Sequence, residues 1–221
     1  MREIEAVLFD VDGTLLDTRE FIYQAYKHTL RAHGLSAISL DEIVHVMNMG
    51  KSLQESYHYF SPLDDLSKLC ETHRSFQTQH LSLVVPFPNT QETLKKLRDA
   101  GVKIAAITTR SKRTSVKTLE ISGIVGYFDV IISGEDVEMS KPHPEGLLKA
   151  LKCLNIQPEK AVMVGDTEAD IIAGKGARIK TIGVSYGFQG PKIVESKPDF
   201  ILDDIADVIP LVLFPPSSLS L

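Results

Sequence analysis

Several things are scarce in this chain, and each scarcity removes a class of function. Only two cysteines occur, Cys70 and Cys153, with no CxxC spacing between them. No disulfide framework is expected, and both read as free, buried thiols of a reducing compartment. Long apolar runs are missing too: none approaches the roughly 18 residues of a membrane-spanning helix. The charged segment Asp10 to Asp12 arrives before a leader's hydrophobic region could form. Excess positive charge is absent, with 24 Lys and Arg against 29 Asp and Glu and a net charge of -5. That balance argues against non-specific nucleic-acid binding, which needs cations to displace counterions. The seven histidines are scattered and show no metal-ligand spacing, and neither an internal repeat nor a low-complexity tract is visible. The expectation is a cytoplasmic protein with no membrane or nucleic-acid partner. Its oligomeric state is not legible.

What is present is ordinary in bulk and specific in detail. With 221 residues, 43% apolar and 24% charged, the chain can build one sizeable core plus a smaller unit. Ala6 to Phe9 is a short unbroken apolar run, the pattern of a strand covered on both faces. Comparable runs recur at 102–107, 128–132, 161–164 and 179–184. Helical patterns separate them. Asn89 to Ala100 carries Asn89 and Glu92 in capping-box spacing. Ser111 to Ser122 ends at Gly123, Pro144 to Leu154 starts with a first-turn proline, and Thr167 to Ala177 completes the set. Strands alternating with helices predict an α/β, doubly wound (Rossmann-like) parallel sheet.

One stretch breaks the alternation. Between Asp17 and Leu83 there is no convincing strand, and Thr18–His33, Leu40–Met47, Ser52–Phe60 and Leu63–His80 read as helices. The expected organisation is an α/β core of residues 1–16 and 84–221 with an inserted all-helical cap, 17–83. Pro215 to Leu221 reads as a frayed tail.

Four motifs stand in order along the chain, and each except Lys141 follows an apolar run. Asp10 and Asp12 stand two apart at a strand end, so both carboxylates can face one cleft beyond the carboxyl edge of the sheet. Taken alone, Asp-x-Asp-Gly also describes a simple turn. Thr108 ends the second long run. Its hydroxyl and the N–H of Thr109 can bind a phosphoryl oxygen, although threonine is also a good strand former. Lys141 lies in Ser140-Lys141-Pro142-His143-Pro144, where two prolines fix the path of what is otherwise a surface lysine. Asp166 reads as an N-cap and Asp170 as a first-turn acid. Both are also hard oxygen ligands suited to Mg²⁺.

In this order the motifs resemble the haloacid dehalogenase superfamily, with its strand ending Asp-x-Asp-x-Thr, strand ending Thr or Ser, lysine, and Gly-Asp-x-x-x-Asp. The resemblance spans essentially the full length, and a helical cap after the first motif marks a subclass of the family. It implies that Asp10 is the nucleophile, forming an aspartyl phosphate. Asp12 is implied as general acid and base. Thr108, Thr109 and Lys141 are implied as phosphate ligands. Asp10, Asp12 (through its carbonyl), Asp166 and Asp170 are implied around Mg²⁺. Because the family's dehalogenases lack an acid at the place of Asp12, the resemblance is to phosphatases acting on a small phosphorylated metabolite.

Within the family the resemblance is to the phosphoglycolate phosphatase and pyrophosphatase group; Ile107-Thr108-Thr109-Arg110, the spacing from Phe128-Asp129-Val130 to Lys141-Pro142, and Asp170 to Lys175 resemble especially its pyrophosphatase branch. Lys51, in the cap segment Met49-Gly50-Lys51-Ser52, is a candidate for a substrate carboxylate or second phosphate. Arg19 and Arg110 are lesser candidates. A β-phosphoglucomutase shares the motifs, but Leu53 stands where a basic residue would hold a sugar bisphosphate. A non-catalytic binding module would be expected to lose Asp10 or Asp12, and both are present.

Overall fold

The computed structural model describes residues 4–48, 52–63 and 65–214. Eight strands occur among them: β1 (Ala6–Phe9), β2 (Leu16–Asp17), β3 (Val85–Pro86), β4 (Lys103–Ile107), β5 (Val130–Ile132), β6 (Ala161–Gly165), β7 (Lys180–Val184) and β8 (Phe200–Leu202). The helices are α1 (Arg19–Ala32), α2 (Leu40–Asn48), α3 (Leu53–Phe60), α4 (Ser67–Gln79), α5 (Thr90–Asp99), α6 (Lys112–Ile121), α7 (Glu145–Leu154), α8 (Glu168–Gly176) and α9 (Val208–Leu213). Six strands form one parallel sheet in the order β5-β4-β1-β6-β7-β8.

Full burial of β1 explains its unbroken apolar sequence. Val7 and Phe9 pack on one face with Leu94 and Leu97 of α5, Leu119 of α6 and Val208 of α9. Ala6 and Leu8 pack on the other with Leu147 and Leu151 of α7 and Ala173 of α8. Strands β4 and β6 split the same way, Ile104 and Val162 facing the first layer, Ala105 and Met163 the second. A two-residue period therefore runs inside sequences that look uniformly hydrophobic.

Strand order reverses at β1, with β4 on one side and β6 on the other. This is the switch point beyond whose carboxyl edge open α/β sheets bind ligands. Helices α1 to α4 lie between β2 and β3 in the chain. Those two strands pair antiparallel, Leu16 opposite Pro86 and Asp17 opposite Val85, and bring both ends of the helical stretch together. Tyr26 of α1, Tyr57 of α3 and His73 of α4 interlock, with Tyr57 Oη 2.8 Å from His73 Nδ1.

Several boundaries and caps differ from expectation. The last inserted helix starts at Ser67 instead of Leu63, because the Asp65 carboxylate accepts the Ser67 N–H at 3.0 Å and turns the chain there. Asn89 does not form a capping box. It sits at φ 64°, and its amide donates to Asp204 Oδ2 at 2.8 Å. The cap of α8 is Thr167, not Asp166: Asp170 Oδ2 accepts from the Thr167 hydroxyl at 2.7 Å and its N–H at 3.1 Å. Cys70 is buried, but Cys153 is exposed on α7. No helix among the described residues is long and apolar enough to cross a membrane.

Candidate active site

Chain direction aims the acids. Asp10 follows β1 directly, and its N–H still donates to Val164 O at 2.9 Å, so the carboxylate is presented from the central strand's end. Gly13 then turns the chain at φ 85°, a conformation costly for other residues. A Cβ at Gly13 would also collide with the Asp166 carboxylate and the Phe188 ring. Asp166 leaves β6 on the neighbouring strand. Its carboxylate accepts from Thr14 Oγ1 at 3.1 Å and from the Phe188 N–H at 2.6 Å. Asp170 stands in the first turn of α8. The carboxylates of Asp10, Asp166 and Asp170 are all buried, with oxygens within 4.8 Å of one another.

Lys141 enters from the loop between β5 and α7. Only 6% exposed, its ammonium donates to Asp10 Oδ1, to Asp170 Oδ1 at 2.5 Å and to Ile107 O at 3.2 Å. Burial works against its charge, but Asp10 and Asp170 outweigh it and raise its pKa. Three acids face this one cation. Desolvation, only partly countered by Lys141, holds the Asp10 carboxyl well above the usual carboxylate range. Desolvation and the Asp170 charge push Asp166 up to about 7. Fully ionised, the cluster carries two uncompensated negative charges beside one ammonium. Hard oxygen donors in that number match a divalent cation such as Mg²⁺, so the residues present fit the metal.

The remaining sequence candidates divide. Asp12 stands outside the three-carboxylate cluster, and its Oδ1 accepts from Arg110 Nη1 at 3.2 Å. Arg110 also donates to Thr118 Oγ1 at 3.0 Å and lies over the Phe21 ring of α1. Thr108 is buried. Its N–H is committed to Ile132 O at 2.9 Å, and its hydroxyl accepts the Arg110 N–H at 3.2 Å. Thr109 is exposed and lines the cavity over the acids. Arg19 turns away, donating to the backbone oxygens of Tyr186 and Gly187. Lys51, with Met49 and Gly50, lies outside the described residues.

A cavity of about 260 Å³ joins Asp10, Asp12 and Lys141 to the inserted helices. Its far wall includes Tyr26, Leu53, Ser56, His73, Arg74 and Gln77. Sequence reasoning gave no role to Arg74 or Gln77. They are one turn apart on α4, and an α-helical surface carries many such residues. It also passed over the Phe188 N–H that orients Asp166, because a backbone donor leaves no trace in residue identity.

The model of the haloacid dehalogenase-like hydrolase family matches residues 7–184. The chain belongs to that family. Pyrophosphatase PpaX of Bacillus thuringiensis (strain Al Hakam) is 36% identical over 214 residues, 95% of this chain and 97% of the relative. The crystal structure of CbbY from Rhodobacter sphaeroides in complex with phosphate is similar at a TM-score of 0.82 and 28% identity, covering 93% of this chain and 96% of that one. A predicted phosphoglycolate phosphatase from Haemophilus somnus 129pt shares the fold at a TM-score of 0.86 and 24% identity, covering 96% and 99%. The parallel sheet and the hydrolase family are as the sequence motifs implied, and the chain is a haloacid dehalogenase-type phosphatase.

Proposed function

We propose that this phosphatase hydrolyses the phosphate ester of a small metabolite, as a phosphoglycolate phosphatase does, through an aspartyl phosphate on Asp10. The reading rests on one observation: Asp10, Asp166, Asp170 and Lys141 meet in a buried cluster at the sheet's switch point, at the foot of a cavity that Asp12 also lines.

In the first step an Asp10 oxygen attacks phosphorus while the bond to the leaving oxygen breaks. Asp12 gives that oxygen a proton. In the second step Asp12 takes a proton from water, whose oxygen attacks phosphorus, and the Asp10–phosphorus bond breaks to release phosphate. Lys141, with Thr108 and the Thr109 N–H, offsets charge on the phosphoryl oxygens. Asp10, Asp166 and Asp170, with the Asp12 carbonyl implied by family resemblance, would hold Mg²⁺, which supplies charge neutralisation at the transferred group.

Residues 17–83 act as a cap over a core of residues 1–16 and 84–221. The cap opens about the paired strands β2 and β3 to admit substrate and shuts to exclude water. A second reading, hydrolysis of inorganic pyrophosphate, is favoured by the 36% identity to a relative named as a pyrophosphatase across 95% of the chain. A sugar-bisphosphate mutase is disfavoured by the apolar Leu53 in the cavity wall.

The test is turnover of p-nitrophenyl phosphate with Mg²⁺. Activity is expected in the wild type, lost on chelation and restored by Mg²⁺, and reduced by at least about 10³-fold in Asp10→Asn. An inactive wild type, or an Asp10→Asn enzyme as fast as wild type, overturns the proposal. A panel of phosphoglycolate, pyrophosphate, hexose phosphates and nucleoside monophosphates ranks the substrates.

A further inference from the structure

Charge in the cavity is unevenly spent. Among the described cations that line it, Lys141 is matched by Asp10 and Asp170, and Arg110 by Asp12. Arg74 is exposed and lines the same cavity, and no acidic group among the described residues pairs with it. One helical turn on, Gln77 shares its face of α4. Gln77 is 7% exposed overall and lines the cavity, and its amide is not engaged by another side chain or backbone group among the described residues. The amide is not among the sealed-off polar atoms that lack a partner, so its donors and acceptor stay open to whatever occupies the cavity. Both side chains line, from the inserted helix α4, the same cavity as the Asp10–Lys141 pair. Glu135 also lines the cavity, but its carboxylate accepts the Lys112 N–H from the start of α6, on the core side.

We propose that Arg74 and Gln77 form a subsite for a second oxyanion, carried by the leaving group of the substrate. A guanidinium fork beside an amide donor suits the planar or tetrahedral oxygens of a carboxylate or phosphate. The small cavity then selects a short anionic leaving group, with Asp10 at the phosphoryl end and α4 at the other. This deepens the phosphatase reading and rests on it. It also assigns the selection to α4, independently of Lys51.

The experiment compares kcat/KM on 2-phosphoglycolate and on pyrophosphate with kcat/KM on ethyl phosphate, whose leaving group has no second charge. The wild type is expected to prefer at least one anionic substrate by 10-fold or more, which also tells carboxylate from phosphate. Arg74→Ala is expected to lower that preference about 10- to 30-fold, mainly through KM, with Arg74→Lys restoring part of it. Gln77→Leu, which keeps the volume, is expected to lower the preference about 3- to 10-fold.

Loss of activity in equal proportion on charged and uncharged substrates assigns these residues a structural role and overturns the inference. So does an unchanged preference in both variants. A wild type that turns over ethyl phosphate as well as either anionic substrate defeats the subsite but leaves the phosphatase. A wild type that turns over none of the three defeats both.

Discussion

Replacing Lys141 with methionine, which keeps the stem and removes the charge, tests how the acid cluster is held. In the metal-free protein Lys141 is the cation bonded to both Asp10 and Asp170, and both partners are buried. Removing one side of a buried ion pair ordinarily costs about 3–5 kcal/mol. The cluster can limit that loss by taking up a proton. For a carboxyl that ionises near 3.9 when unfolded, holding a proton in the fold at pH 7 costs about 4 kcal/mol, and at pH 5 about 1.5 kcal/mol. The sign follows from linkage: an acid whose folded pKa is raised binds more protons folded than unfolded, so its fold loses stability as pH rises.

Lys141→Met is therefore expected to be destabilised by about 3–4 kcal/mol at pH 7 and by about 1.5 kcal/mol at pH 5, relative to wild type at the same pH. Urea unfolding followed by far-ultraviolet circular dichroism, with chelator present, reads both values. Equal destabilisation at the two pH values, or less than about 1 kcal/mol at pH 7, would refute the view of Lys141 as the counter-charge of a crowded acid cluster.

Gly13→Ala is expected to destabilise the protein by more than about 2 kcal/mol, because a positive φ and a collision with Asp166 combine. An alanine variant with wild-type stability and Mg²⁺-dependent rate would contradict that packing. His73 is held down to about 3 by burial first, then by the Arg110 and Arg74 charges. An unfolded histidine binds its proton near 6.5, so this group's share of stability falls as pH drops through the window from about 6.5 to 3. The loss is about 2 kcal/mol at pH 5. His73→Asn should unfold with a correspondingly flatter acid limb, and an unchanged limb would show that His73 is not the group involved.

Much of this architecture was legible because the central strands are buried on both faces. Ala6–Phe9 and 161–164 could only be apolar throughout, and the structure starts β1 and β6 at the same residues. Strand β8 went unread because Phe200, Ile201 and Leu202 form a three-residue edge strand that is only half buried and carries no long hydrophobic signal. The ribbon of β2 and β3 is two residues a side and invisible to any periodicity. Cap chemistry misled twice. Asn89 and Asp166 each had a good N-cap residue type, but each side chain was claimed by a distant partner, Asp204 and Thr14 respectively.

At the site, Asp10, Thr108 and Asp166 could be named from strand-end position, Asp170 from the first turn of the helix that follows, and Lys141 from its proline-flanked loop. What could not be read was the pairing: that Lys141 would bridge Asp10 and Asp170, or that Asp12 would face Arg110 instead of the other acids. Those contacts depend on loops from four separate strand ends arriving at one edge of the sheet.

The central claim is that phosphate passes through a covalent bond to one carboxylate. Rapid quenching during turnover, followed by peptide mapping by mass spectrometry, tests it most directly. Phosphate on Asp10 is the expected result, with none in Asp10→Asn. A phosphorylated residue elsewhere, or full turnover with no labelled protein when the second step is slowed, would contradict the account.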